Sequence, residues 1–284
     1  MKSNPYFGMI IALTIGAFNG VLLKLLELEP ETITFFRLAV PAFVLFFFIK
    51  FYKKKKILRG NFKLMLVASA FNASRMFLYF LAFSYTSVAN GVIMLYTWPI
   101  FSSIFGVIFI KEKAKLKEWL LISLAFFGVI VMMSNQELAF SNSDLVGMLA
   151  MLASAALYAM TVIIFKKGLD EYSPTETIFY QSILGAVIFL PFIFFNNEGL
   201  TISKSLLAIG HYGLLVGILV FVLLFRALKK LKVIRFSLIS YWEVVAGIIF
   251  GVILLGDRIT LNMVFGGLMI ISAGWGLAIY KQKN

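Results

Sequence analysis

The chain has 284 residues, of which 61% are hydrophobic and only 14% are charged. A single soluble core cannot cover that much apolar surface, so the composition excludes an ordinary soluble domain and favours a chain solvated by a lipid bilayer. The net charge of +13 comes from short basic tracts between apolar runs, which is typical of membrane proteins and disfavours nucleic-acid binding. With no cysteine and one histidine, no disulfide and no metal site is expected.

Ten apolar runs are long enough to cross a bilayer as helices, which requires about 20 residues each. In chain order they are residues 6–26, 33–50, 63–84, 88–110, 118–134, 145–165, 177–195, 205–226, 234–255 and 262–280. The first run is interpreted as a retained span, because no small-residue cleavage site follows it. Since backbone groups in hydrocarbon must be paired within the segment, the predicted fold class is an all-α membrane protein.

Charge predicts the orientation of these spans. With the N-terminus inside, 21 of the 26 basic residues fall in the inner loops, and only Lys204 and Arg258 fall in the outer ones. A count wrong by one span would destroy this asymmetry. The sequence therefore predicts ten helices with both termini in the cytoplasm.

Two halves of the chain, residues 1–138 and 139–284, are predicted to be repeats of five helices each. The positions that match at shifts of 145 or 144 residues are Tyr96 with Tyr241, Glu112 with Asp257, and Pro30 with Pro174. Because five is odd, the two halves must enter the membrane from opposite sides. Such inverted repeats are the usual construction of carriers that work by alternating access.

The stretches PETITFFR (residues 30–37) and PTETIFYQ (residues 174–181) resemble the drug/metabolite transporter superfamily, as do Pro99 through Glu112 and Gly256-Asp257-Arg258. The chain is most similar to the ten-helix EamA-type branch, which implies a secondary carrier. Asp257 departs from the usual glutamate, and Phe18-Asn19-Gly20 departs from a common Trp-Gly. Glu243, in Ser240-Tyr241-Trp242-Glu243, is similar to an acidic position in the subset that handles S-adenosylmethionine.

Four ionisable residues lie inside predicted spans: Lys24, Arg37, Arg75 and Glu243. Each costs about 3 kcal/mol in hydrocarbon unless it faces a cavity or a partner. At the helical rise, Arg75 and Glu243 lie roughly 18 and 12 Å from the inner face, so we predict one shared cavity. The pair is either a structural ion pair or a site for substrate or a proton. Lys24 and Arg37 either extend to the outer interface or act as a gate latch or an attraction site for anionic groups.

Aromatic and polar residues are the candidates for a site that stacks on a flat or cationic substrate, while interface belts and helix packing account for most individual members. The repeat favours Tyr96, Tyr241 and Trp242, while Tyr158, Tyr180, Trp98 and Gln181 are weaker members of the same set. Asn72 and Tyr79 share a helical stripe with Arg75. Pro99 should kink its helix and supplies either a hinge or an ordinary bend.

The predicted function is secondary transport of a small organic metabolite: amino-acid-like, S-adenosylmethionine-like or another nitrogenous or aromatic compound. An exporter of drugs or amphiphiles is the alternative within transport, and a membrane scaffold or a lipid-modifying enzyme is the alternative outside it. No phosphate-binding loop, catalytic motif or cofactor motif is found in the sequence, so no enzyme activity is expected. The expected partners are the substrate, a coupling proton or cation, and the lipid of a bacterial inner membrane. The small-residue pair Ser102 and Gly106 favours packing within a monomer over a homodimer.

Overall fold

The computed structural model describes residues 4–19, 21–22, 28–57, 59–135, 138, 140–195 and 200–282. Over these residues the chain is all helical and has no strand, so the predicted fold class is confirmed. The α-helices are α1 Pro5–Ala17, α2 Pro30–Phe47, α3 Phe62–Tyr85, α4 Val88–Leu95, α5 Trp98–Ile110, α6 Leu116–Met133, α7 Asn142–Gly168, α8 Pro174–Phe189, α9 Phe192–Phe195, α10 Ile202–Leu207, α11 Phe221–Lys230, α12 Val233–Ser240, α13 Trp242–Leu255 and α14 Leu261–Gln282. Two π-helical segments, Phe48–Tyr52 and Ala208–Val220, continue α2 and precede α11.

Eight helical runs in the described part of the chain are long and apolar enough to cross a membrane. They are Pro30–Tyr52, Phe62–Tyr85, Val88–Ile110, Leu116–Met133, Asn142–Gly168, Ile202–Lys230, Val233–Leu255 and Leu261–Ile279. Each coincides with one predicted span. The chain is therefore a multi-pass membrane protein.

The first and seventh predicted spans contain shorter helices. α1 has 13 residues and ends in a turn at Phe18, and part of the predicted span 6–26 lies outside the described residues. α8 has 16 residues and ends just before Pro191, whose ring nitrogen carries no hydrogen to continue the helix. The number of ten spans thus remains a prediction.

The chain forms two compact units, and each unit takes residues from both predicted halves. The first unit comprises residues 1–73 and 164–230, and the second comprises residues 74–163 and 231–284. α3 and α7 each contribute to both units. The division at residue 138 describes equivalence in sequence rather than compactness, and it stays a prediction.

Within the first unit, α2 packs against α8 and against the π-helical segment Ala208–Val220. The approach is close at Gly217, where an added Cβ would lie 2.9 Å from the carbonyl oxygen of Arg37 and 2.5 Å from the ring of Pro41. Pro41 lies inside α2 and cannot donate to the Arg37 carbonyl four residues earlier. The Arg37 carbonyl therefore lacks its usual backbone donor at a tightly packed position.

Within the second unit, two pairs of helices approach through small residues. α6 meets α14 at Gly128 and Gly266, where an added Cβ on either would lie under 3 Å from the other's carbonyl oxygen. α5 meets α12 where Ser102 Oγ lies 2.6 Å from Ser237 Oγ. Ser102 therefore packs within the chain.

Candidate functional site

Two membrane spans of the second unit are interrupted at equivalent positions. A turn at Tyr96 and Thr97 separates α4 from α5, and Pro99 lies in the first turn of α5. A turn at Tyr241 separates α12 from α13, although Pro and Gly are absent from its immediate neighbours. Interrupted helices are typical of transporter binding sites because they expose backbone groups and helix ends within the membrane.

The two interruptions contact each other through their tyrosines. The hydroxyl of Tyr241 donates a hydrogen bond of 2.9 Å to the backbone carbonyl oxygen of Tyr96. The two ring centroids are 6.0 Å apart, and Tyr241 is fully buried. An unpaired carbonyl at a helix end is costly in an apolar environment, so this bond stabilises the interruption of the Val88–Ile110 span.

Arg75 lies on an aromatic surface in the same unit. Its guanidinium carbon is 4.2 Å from the ring centroid of Tyr158, and the edge of Trp98 packs on the same ring with centroids 4.8 Å apart. The backbone carbonyl of Arg75 accepts a hydrogen bond of 2.7 Å from Ser154. The Tyr158 ring therefore supports the cation directly, and Trp98 packs against that ring.

Glu243 lies in the first turn of α13 and is half-buried. It is within electrostatic range of Tyr96, as are Tyr79 and Tyr158. We call the group Arg75, Tyr158, Trp98, Tyr96, Tyr241 and Glu243 the tyrosine cluster. It combines one cation, one carboxylate and aromatic faces within one compact unit.

Other predicted site residues are placed as follows. Tyr79 packs against Phe83 with ring centroids 4.9 Å apart, and Trp242 is half-buried beside Tyr241. Asn72 belongs to the first unit, where its fully buried amide donates a hydrogen bond of 3.2 Å to the backbone oxygen of Gln181. This contact ties α3 to α8.

Arg37 and Lys24 are the two residues predicted to act near the outer face. Arg37 belongs to the first unit, and its guanidinium carbon is 5.4 Å from the ring centroid of Phe221. Lys24 lies outside the described residues. Their predicted roles at a gate stay predictions.

Two buried ion pairs were missed by the sequence reasoning. Glu176, at the start of α8, accepts hydrogen bonds of 2.9 and 2.7 Å from Arg59 Nε and Nη2. Glu118, at the start of α6, accepts one of 2.6 Å from Arg235. The bond with Glu176 raises the pKa of Arg59 above its usual value. Glu176 accepts from the N–H of Ser173 in a Ser-x-x-Glu capping pattern, and Glu118 accepts from the N–H of Lys115. Such local contacts predict only a helix start and not a partner 117 residues away.

The fold and the tyrosine cluster define a polytopic membrane protein with polar groups between interrupted spans. The model of the EamA-like transporter family matches residues 4–134 and 145–278, so the chain belongs to this family. Its place is the cell membrane.

Several relatives are similar over almost their whole length. An uncharacterized transporter of Archaeoglobus fulgidus is 26% identical over 97% of this chain and 98% of its own. The S-adenosylmethionine uptake transporter of Rickettsia bellii is 23% identical over 97% of this chain and 93% of its own. A crystal structure with 14% identity matches 100% of this chain and 99% of its own with a TM-score of 0.84, which shows a shared fold.

Proposed function

We propose that the chain is a secondary transporter that moves a small nitrogenous metabolite by alternating access, with the tyrosine cluster as its substrate site. The observation that carries the proposal is the placement of Arg75 on Tyr158 in the unit that also holds Tyr96, Tyr241 and Glu243. Charged residues inside a membrane span are expensive, so contacts that only pack helices together do not require them. A polar substrate does require charged groups to bind it.

The chemistry of the cluster favours a substrate with one cationic and one anionic group. Arg75 provides N–H donors that suit a carboxylate, and Glu243 suits an ammonium or sulfonium group or a coupling proton. The faces of Tyr96 and Tyr158 suit a cation or a flat ring. The S-adenosylmethionine uptake transporter of Rickettsia bellii carries a compound of this kind, so S-adenosylmethionine and amino acids are the first substrates to test.

Alternating access requires two equivalent gates, which inverted repeats supply. Two features support the inverted repeats in this chain. The family model matches segments on either side of residue 138. Tyr96 and Tyr241, equivalent at a shift of 145, also touch each other. Residues related by a two-fold axis can touch their own equivalents only near that axis, so the contact suits a pseudo-axis through the cluster.

Tags on the two termini should react from the same side of the membrane. Reaction from opposite sides would refute the inverted repeat.

The transport proposal is tested by uptake into proteoliposomes with a panel of amino acids and S-adenosylmethionine. Glu243→Gln and Arg75→Gln should each lower kcat/KM by about 10- to 100-fold, since each removes a charge-assisted contact of about 1.5–3 kcal/mol. Arg258→Gln is the matched control, because Arg258 is an exposed charge of the same unit. Unchanged flux in both cluster variants, with correct folding, would refute the site.

A charge exchange separates the substrate site from a structural pair. Arg75→Glu combined with Glu243→Arg should restore thermal stability but not transport if the two charges bind substrate. Full recovery of transport would assign the residues to structure alone. Tyr158→Phe should keep most transport and Tyr158→Leu should lose about five-fold, because Arg75 lies over the ring of Tyr158.

A further inference from the structure

A strongly basic surface of the first unit lies where α2 and its π-helical extension end. Residues 50–63 contain seven basic residues and no acidic one. Four of those lysines, Lys50, Lys54, Lys55 and Lys56, line an open recess of about 560 Å³ together with Ile57. We call this recess the lysine pocket. It is separate from the tyrosine cluster, which belongs to the second unit.

The basic residues of this loop fall into two groups: some contact the start of α8, and others are exposed. Lys53 donates to the hydroxyls of Ser173 and Thr175 at 3.2 and 2.8 Å, and Arg59 pairs with Glu176. These contacts hold the loop on the start of α8. In contrast, Lys54 and Lys56 are exposed, and no carboxylate of the described residues lies within 4.0 Å of either. The pocket therefore carries net positive charge.

The backbone holds the lysines in this arrangement at a position that favours glycine. Lys55 N–H donates to Ile49 O at 3.1 Å and Lys53 N–H donates to Phe48 O at 2.9 Å, which closes the helix end. Lys54 has φ of 51°, in the left-handed region where a helix end usually has glycine. A lysine at this position is unfavourable for the backbone, and it turns the chain so that Lys54, Lys55 and Lys56 lie beside Lys50.

An exposed column of aromatic rings leads to the pocket. Phe43, Phe47 and Phe51 follow one another at four-residue spacing on one face of the helix, all well exposed. Their ring centroids are 4.8 and 5.7 Å apart. The ammonium of Lys50 is 5.6 Å from the Phe51 ring centroid, which connects the column with the lysines. An apolar strip that ends in a cationic recess at a membrane helix end matches the two parts of a phospholipid.

We propose that the lysine pocket binds the phosphate headgroup of an anionic phospholipid, whose acyl chain lies along Phe43, Phe47 and Phe51. The headgroup supplies the anion that Lys54 and Lys56 need, and the acyl chain covers the exposed rings. Inorganic phosphate can make the contact with the lysines but not the contact with the aromatic rings. This site does not depend on the transport proposal, and its test measures binding rather than flux.

The test uses the purified full chain in neutral detergent and follows thermal unfolding, because a bound ligand stabilises the folded state. The chain is titrated with dioctanoyl-phosphatidylglycerol, with dioctanoyl-phosphatidylcholine and with inorganic phosphate. Phosphatidylglycerol should raise the melting temperature with saturation, and the other two should not at the same concentrations. Equal stabilisation by phosphate or by phosphatidylcholine would overturn the proposal.

Variants then locate the site. Lys50→Gln, Lys54→Gln and Lys56→Gln combined should raise the half-saturating phosphatidylglycerol concentration about 100-fold, at about five-fold per lysine. The set leaves unchanged the three residues that contact the start of α8, Lys53, Lys55 and Arg59. Lys113→Gln, Lys229→Gln and Lys230→Gln combined remove as much charge elsewhere and should change it less than three-fold. An equal loss in this control, or no loss in the first set, would refute the pocket.

A single substitution separates lipid binding from folding. Lys54→Gly removes one charge and also relieves the left-handed backbone strain. In phosphatidylcholine its melting temperature should equal or exceed that of the parent chain, while its phosphatidylglycerol half-saturation should rise about five-fold. Undiminished affinity for phosphatidylglycerol in this variant would contradict the assignment of Lys54.

Discussion

Two arginines of this protein, Arg59 in the first unit and Arg75 in the second, each lie over a tyrosine ring, and Arg59 also pairs with a carboxylate. Arg59 donates through Nε and Nη2 to one buried carboxylate oxygen of Glu176. Arg75 lies 4.2 Å from the centre of the Tyr158 ring. An ion pair neutralises the cation within the protein, whereas an aromatic ring stabilises the cation without cancelling its charge. The comparison shows how one residue type is held by a carboxylate in one region and lies against an aromatic ring in another.

The largest effect on stability is expected at the first of these arginines. Glu176→Gln keeps a side chain able to complete the capping box but removes the charge that pairs with Arg59 and Lys55. Breaking a fully buried pair costs about 3–5 kcal/mol. Because the Arg59 side chain keeps 28% exposure, we expect a smaller loss of about 2–3 kcal/mol. Thermal unfolding in detergent would show this as a decrease of roughly 5 °C.

Glu171→Gln is the control for this substitution. Glu171 belongs to the same region, is exposed, and accepts a hydrogen bond of 3.3 Å from the backbone of Asn61. Its change should stay within about 0.5 kcal/mol, as for most surface substitutions. If the two variants were equally stable, the Arg59 pair would contribute nothing to folding and the contrast with Arg75 would fail.

The difference between the arginines also explains which parts of the molecule the sequence predicts. Apolar length is a local property, so all eight confirmed spans agree with their predicted ranges. The choice of partner is not local. Arg59 and Glu176 are 117 residues apart, and nothing near either residue specifies the other. Arg75 was singled out because its charge is rare in a span, whereas Tyr158 is one of 11 tyrosines and carries no such signal.

The two helix interruptions illustrate the same limit. Pro99 gives a local reason for a break in the Val88–Ile110 span, and the structure has one at Tyr96 and Thr97. The turn at Tyr241 has no such residue beside it. The sequence indicates Tyr241 only through its match with Tyr96 at a shift of 145 residues. That match predicts a binding residue and not a break in the helix. Such a break arises from tertiary contacts, which a single sequence does not contain.

An intermediate effect is expected at this turn, where the contact is a hydrogen bond between uncharged groups. Tyr241→Phe removes the hydroxyl that donates to the Tyr96 carbonyl. The carbonyl then loses this donor near a fully buried ring, at a cost of about 1–3 kcal/mol. Thermal unfolding should show the loss, and Tyr85→Phe, at an exposed tyrosine of the same unit, should not. Equal melting temperatures for Tyr241→Phe and the parent chain would show that the bond does not stabilise the break.

The smallest effect is expected where two hydroxyls meet between α5 and α12. Ser102 Oγ and Ser237 Oγ are 2.6 Å apart and both residues are buried. Hydrogen bonds between membrane helices average about 0.6 kcal/mol in double-mutant cycles, with a maximum near 1.7. A cycle of Ser102→Ala, Ser237→Ala and the double variant should therefore give a coupling energy of about 0.5–1 kcal/mol from thermal or denaturant unfolding.

Ser103 supplies the control cycle for this measurement. It is buried on the same helix, but its hydroxyl donates to the Pro99 carbonyl at 2.6 Å rather than to α12. Ser103→Ala and Ser237→Ala should therefore be additive within about 0.3–0.5 kcal/mol. Coupling of equal size in both cycles would mean that the helices respond to lost volume and not to a hydroxyl pair. The packing of Ser102 would then depend on its small size alone, as the spacing to Gly106 predicts.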